Sequence, residues 1–255
     1  DVIPNLDVVE KSQCFPLYYY ESTETEISSN LPASQTSLFA SSKSENKQYI
    51  RKDGISDFIL NEAKSKYSQP ITKEDIFYYV YGFLHSKEYR TTFSADLKKI
   101  LARIPLVDNE EDFWAFSRSG RELADLHLHY ENVEPYPDVK VTGTESQNFN
   151  VQKMWFVKKG DKSSIQYNES ITVSNIPLKA YDYVVNGKSA IEWVMERYAI
   201  TFDKDTHITN DPNDWSKEHE NPRYILDLLL KVITVSMKTM EIVENLPMSI
   251  ELKSI

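Results

Sequence analysis

Met154-Trp155-Phe156-Val157-Lys158-Lys159-Gly160-Asp161-Lys162-Ser163-Ser164-Ile165-Gln166-Tyr167-Asn168 is the stretch on which the fold class turns. Large and β-branched side chains fill Met154 to Val157, and Ser164 to Asn168 alternates polar with apolar. The glycine turn Lys158-Lys159-Gly160-Asp161 between them predicts a β-hairpin. Ile171 and Val173 mark a further strand just beyond it.

Upstream of this stretch the period is helical. Thr72 with Asp75 three residues on is an N-terminal capping box, and Ile76, Tyr79, Val80, Phe83 and Leu84 follow at helical spacing to about His85. A second helix is expected from Lys87 to about Arg103, with Phe93, Leu97, Ile100 and Leu101 on one stripe and Pro105 as its stop. A third follows Asp112, carrying Phe113, Phe116, Leu123 and His127, and its Gly120 marks close approach of a neighbouring helix. Pro135 and Pro137 end the helical block.

Downstream, Ser189 caps a helix over Ala190 to Tyr198, and the acid-rich stretch from Asp203 to Glu220 reads as a solvated loop. A last helix is expected over about Arg223 to Val243. Before all of this, Cys14-Phe15-Pro16-Leu17-Tyr18-Tyr19-Tyr20 reads as a strand entering a core. Eleven of the 27 residues from Ser22 to Gln48 are Ser or Thr, which predicts a linker. The expected fold is α+β, a helical first half packed with a mixed α/β second half. Its divisions are 1–54 (opening strand and linker), 55–137 (helical) and 138–255 (α+β), together one region.

Composition excludes whole classes of activity. The six glycines, at 54, 82, 120, 143, 160 and 187, lie too far apart to write a dinucleotide fingerprint or a P-loop anywhere in the chain. A lone Cys14 can neither form an internal disulfide nor join a zinc cluster, which points to a reducing, cytoplasmic setting. No apolar run approaches the length that spans a bilayer, so no membrane partner is expected. The first residues, Asp1-Val2-Ile3-Pro4, lack an initiator Met and suggest a piece of a longer or processed chain.

Chemical motifs are weak. His127 and His129 are two apart, which on a helix points them about 200° from each other, so a packed His127 and a solvated His129 is the expected arrangement. Phe116-Ser117-Arg118-Ser119-Gly120 echoes a nucleophile elbow but falls inside a helix, and no catalytic residue is assigned. The acidic stretch lacks the spacing of a calcium loop.

Charge carries the positive signal. The net charge is -10, which argues against a general polyanion binder, yet Lys153, Lys158, Lys159 and Lys162 oppose only Asp161 on the predicted hairpin. Trp155, Phe156 and Tyr167 are interleaved with them, a pattern that serves phosphate contact and base stacking. Edge-strand lysines that block aggregation would look the same. Lys87, Arg90, Lys98, Lys99 and Arg103 against Glu88 and Asp96 form a second basic element, read as an outer helix face.

Several segments together resemble the C-terminal specificity region of Type ISP restriction-modification enzymes. They are Cys14-Phe15-Pro16-Leu17; the run from Ile71-Thr72-Lys73-Glu74-Asp75-Ile76 to Gly82-Phe83-Leu84-His85-Ser86; Tyr89-Arg90; Arg103-Ile104-Pro105; Asp112-Phe113-Trp114-Ala115-Phe116; and Gly120-Arg121-Glu122-Leu123-Ala124-Asp125-Leu126-His127-Leu128. Tyr183-Val184-Val185-Asn186-Gly187-Lys188-Ser189-Ala190-Ile191-Glu192-Trp193-Val194 and Asn210-Asp211-Pro212-Asn213 continue the likeness, with 140–152 least constrained.

The resemblance implies a non-catalytic last part of a large polypeptide with nuclease, ATP-driven translocase and adenine-N6 methyltransferase domains. No cofactor is expected in this part, with S-adenosylmethionine, ATP and Mg2+ belonging to the parent. The implied role is reading double-stranded DNA for the upstream methyltransferase and helicase domains. The candidate DNA-binding residues are Lys153, Lys158, Lys159 and Lys162 for phosphate, with Gln152, Trp155, Gln166 and Asn168 for base edges or stacking. The alternative is a docking domain that braces those domains and touches DNA little.

Overall fold

Side-chain caps set most helix starts in this chain. The computed structural model describes residues 14–22, 49–97 and 99–248, which divide between two compact units, Asp1–Phe77 and Tyr78–Ile255. The compositional boundaries at 54/55 and 137/138 do not coincide with this division.

In the first unit, β1 (Tyr18–Ser22) pairs antiparallel with β2 (Tyr49–Asp53). The ribbon does not enter a core: among the described residues Phe15, Tyr20, Tyr49 and Ile50 are exposed, and a two-stranded ribbon has no interior of its own. Arg51 lies over the Tyr18 ring at 4.3 Å, and the Tyr18 hydroxyl donates to Glu74. The Ser/Thr-rich stretch beyond Ser22 falls outside the described residues. Helix α1 (Asp57–Lys66) starts at the Ser56 cap. Helix α2 (Lys73–Phe83) starts at Thr72, whose Oγ1 accepts from the Asp75 amide at 3.2 Å while Asp75 accepts from the Thr72 amide at 2.9 Å, the expected capping box. Lys73 binds Asp53 at 3.1 Å and Asp57 at 2.7 Å. The division between units falls within α2.

In the second unit, α3 (Lys87–Thr92) is much shorter than its stripe predicts, and Ile100 and Leu101 are exposed. Thr91-Thr92-Phe93-Ser94 is a poor helical run. Beyond it the chain turns back, and two buried tyrosines capture it: the Tyr89 hydroxyl donates to the Arg103 carbonyl at 2.9 Å and the Tyr79 hydroxyl to the Pro105 carbonyl at 2.6 Å. Helix α4 (Glu110–Leu128) is capped by Asn109. It meets α2 at Gly120, where a Cβ would lie 1.8 Å from the Tyr78 carbonyl oxygen, and at Gly82, where one would lie 2.2 Å from that of Phe116. The expected close approach is therefore a glycine-to-glycine crossing, and Tyr79 stacks on Phe113 beside it at 4.8 Å.

Four short strands follow: β3 (Lys140–Thr142), β4 (Trp155–Lys158), β5 (Asp161–Gln166) and β6 (Thr172–Ser174). They form an antiparallel sheet in the order β3-β6-β5-β4. The expected hairpin is β4-β5, with Gly160 at φ 82 in its turn. A second hairpin pairs β7 (Val184–Val185) with β8 (Lys188–Ser189) around Asn186 and Gly187, both at positive φ.

Ser189 and Glu192 then form a complete capping box at the start of α5 (Ala190–Arg197). The acidic stretch is not loop throughout: β9 (Thr201–Phe202) pairs with β10 (Thr209–Asn210), and α6 (Asn213–Glu218) follows. Its aspartates order it, with Asp203 accepting from the Asp205 and Thr206 amides and Asp211 from the Asn213 amide. Helix α7 (Tyr224–Glu244) has 14 buried residues out of 21, which makes it a central helix rather than a surface one. The core joins Ile165 and Val173 of the sheet to Ile191 and Val194 of α5 and to Ile225, Leu226, Leu229 and Ile233 of α7.

Candidate nucleic-acid interface

Strand register divides the sheet into two faces. Phe156, Ile165, Val173 and Val141 pair across the four strands and turn inward to α5 and α7. The neighbouring row, Trp155-Gln166-Thr172-Thr142, therefore turns outward, with Lys140 and Ser174 beside it. This outer face is polar, with an aromatic at one edge and a lysine at the other.

The eight residues singled out by sequence fall into two groups. Gln152, Lys153, Trp155, Lys158 and Lys159 are exposed, Trp155 at 47 %. Lys153 and Lys159 make no ion pair among the described residues. Asp161 is held below the usual carboxylate range, first by hydrogen bonds from Ser163 and then by the charge of Lys158. The hairpin tip thus presents cationic charge on an edge strand, where it also blocks edge-to-edge pairing.

The other three are engaged in the fold. Lys162 Nζ lies 2.7 Å from Glu192 Oε1 and 5.1 Å from the centre of the Tyr181 ring, whose hydroxyl donates to the Lys162 carbonyl. Gln166 Nε2 donates to the Asn168 and Ile171 carbonyls, while its Oε1 accepts from Thr172 at 3.0 Å. Asn168 is buried; its Oδ1 accepts from the Ser170 and Ile171 amides, and its Nδ2 donates to the Asn148 and Asn150 carbonyls. These two amides shape the β5-β6 turn, so their hydrogen-bonding groups face protein. The period-two pattern Lys140-Val141-Thr142 also puts exposed Lys140, which is outside the candidate set, on the outer face.

A different chemistry occupies the helical side of this unit. His127 is enclosed, with Nδ1 2.8 Å from the Tyr81 hydroxyl, Nε2 2.9 Å from Thr239 Oγ1 and its ring stacked on Tyr183 at 5.4 Å. Burial, aided by the neighbouring His85, pushes its pKa down to about 4. His129 instead points to solvent and bonds Asp125. The groove between α4 and α7 beyond it, about 620 Å³, is lined by Glu122, Asp125 and Glu241 against Lys238. Among the described residues no helix is long and apolar enough to cross a membrane.

A family model and two solved structures name one family. The family model of the Type ISP C-terminal specificity domain matches residues 1–228. Among solved structures, the ATP-dependent Type ISP restriction-modification enzyme LlaBIII bound to DNA is similar at 40% identity with a TM-score of 0.75, over 93% of this chain and 14% of that one. A nuclease-deletion mutant of the Type ISP enzyme LlaGI in complex with a DNA substrate mimic is similar at 49% identity and TM-score 0.64, over 71% of this chain and 14% of that one. The DrdV–DNA complex is similar at 30% identity and TM-score 0.65, over 80% and 20%. The chain thus spans a seventh to a fifth of these relatives. No curated protein matches.

Proposed function

Because the chain belongs to the Type ISP C-terminal specificity domain family, we propose that it recognises the DNA target sequence for a larger restriction-modification polypeptide. In this reading the fragment has no catalytic residue of its own. It holds the duplex so that an upstream adenine-N6 methyltransferase domain acts on a base rotated out of the stack, and recognition of an unmodified site licenses the upstream translocase and nuclease. S-adenosylmethionine, ATP and Mg2+ would be used by those upstream domains.

The observation that carries the proposal is the exposed edge of the sheet, where Lys153, Lys158 and Lys159 flank Trp155 beside a polar outer face. Lysines neutralise phosphates without reading sequence, and such contacts fix the protein's register on the duplex. That three solved relatives are DNA complexes supports the same reading.

Duplex binding measured against salt tests it. Each lost phosphate contact lowers the slope of log affinity against log salt by about 0.9. The Lys158→Ala, Lys159→Ala double variant is therefore expected to lose about one to two units of slope, and an unchanged slope removes the hairpin from the interface. A second reading, a docking domain with little DNA contact, draws on the acidic α4-α7 groove. It predicts that removing this region from the parent leaves site preference intact.

A further inference from the structure

Between Gly143 and Met154 the chain passes from one edge strand of the sheet to the other. Thr142 ends β3 opposite Thr172, and Trp155 begins β4 opposite Gln166, so this segment crosses the end of the sheet where β5 turns into β6. It begins at a fixed point: Gly143 has φ 83, and a Cβ there would meet the Ser170 carbonyl oxygen at 1.9 Å.

The strap that follows is held by its backbone. Asn168 donates to the carbonyls of Asn148 at 2.9 Å and Asn150 at 3.0 Å, and the Tyr167 hydroxyl donates to that of Phe149 at 2.8 Å. Asn213 brackets Val151, accepting from its amide and donating to its carbonyl, both at 2.8 Å. The Ile200 amide donates to the Gln152 carbonyl at 2.8 Å. Five consecutive carbonyls thus face protein, an unusual degree of order for a surface connection, whose backbone groups generally turn to water. The Arg223 guanidinium over the Phe149 ring, at 4.9 Å, fixes the one large apolar side chain between the two asparagines.

With the backbone held from within, the polar side chains are left outside. Gln147, Asn150 and Gln152 are exposed, and among the described residues their carboxamides make no hydrogen bond. Gln147 occupies the left-handed region at φ 52, where glycine or asparagine would cost less. A carboxamide presents one acceptor beside one donor, the pair that matches N7 and N6 of adenine in the major groove. Base reading also requires that such groups be carried on a backbone that does not move.

We propose that residues 147–152 are the base-reading strap, with the Gln147, Asn150 and Gln152 carboxamides bonding base edges, adenine foremost, while the hairpin lysines hold phosphate. This rests on the target-recognition reading above and assigns its specificity to named side chains.

The test uses the whole 255-residue chain and a duplex library randomised over its target. The wild type is expected to enrich one motif. Gln147→Ala, Asn150→Ala and Gln152→Ala, each with an unchanged melting temperature and salt slope, are expected to lose roughly 5- to 150-fold discrimination at separate base pairs. Lys158→Ala with Lys159→Ala should do the reverse, lowering the slope while enriching the same motif. If the wild type enriches a motif and all three carboxamide variants enrich it equally, the strap does not read bases. If the wild type enriches no motif, the target-recognition reading itself fails and the strap assignment with it.

Discussion

Compare the α2-α4-α7 packing with the end of the four-stranded sheet. In the first, polar groups are paired with one another: His127 is bonded at both ring nitrogens, and two glycines let helix backbones nearly touch. In the second, only the inward side of the backbone is paired, and amides and lysines remain outside. The charge divides likewise, with carboxylates lining the α4-α7 groove and lysines at the hairpin tip. A net charge of -10 is therefore compatible with a DNA-facing surface, because the negative charge has its own place in the molecule.

The largest effect should come from filling the helix crossing. Gly120→Val places side-chain carbon against the Tyr78 carbonyl, and the helices must separate. We expect a loss of about 3 kcal/mol or more, read as a fall of the thermal midpoint by roughly 2–4 °C per kcal/mol. Asn213→Ala should come next. It leaves the Val151 amide and carbonyl unpaired in a buried position, at about 2–4 kcal/mol, and hydrogen exchange at the Val151 amide should accelerate. Equal acceleration of exchange at the Val151 amide in both variants would erase the distinction between the two regions.

A smaller effect distinguishes the regions by pH. His127, at about 4 against 6.5 for an unperturbed histidine, binds fewer protons folded than unfolded, and burial lowers His85 as well. Stability contributed here is present above pH 6.5 and is lost as pH falls towards 4. Tyr81, Tyr183, Thr239 and His85 face this ring, and none of them supplies a negative charge in that range to compensate. Comparing melts at pH 7.5 and pH 5, His127→Gln should show a shallower loss than the wild type. The smallest effect is expected at the hairpin tip, where Lys158→Ala with Lys159→Ala should change stability by less than about 0.5 kcal/mol.

Features set by neighbouring residues were legible in the sequence. The Thr72/Asp75 and Ser189 caps, the β4-β5 hairpin, the long last helix and the close approach at Gly120 all follow from spacing within a few residues. Long-range capture was not legible. The stripe from Phe93 to Leu101 suggested a helix because nothing local shows that Tyr79 and Tyr89 hold the carbonyls of Pro105 and Arg103. In the acid-rich stretch composition shows charge, whereas the fold uses the aspartates as acceptors for particular amides.

The same limit governs the site. Gln166 and Asn168 stand in the sequence as polar residues on a strand, but partners lie on other segments, such as the Asn148 carbonyl 20 residues away from Asn168. Lys162 is drawn to Glu192 by a helix that packs only in three dimensions. Exposure of Gln147 and Asn150 with no internal partner is a property of the folded chain and has no local sequence signal.

Anchoring through carbonyls has an evolutionary consequence. Every amino acid carries the same carbonyl, so Asn168, Tyr167 and Asn213 grip the strap whatever side chains it bears at 147, 150 and 152. Substitutions at Asn150 and Gln152 leave the grip untouched, while position 147 favours residues that tolerate its left-handed backbone. Mutability at the exposed positions and constancy at their anchors are thereby assigned to different residues of one loop.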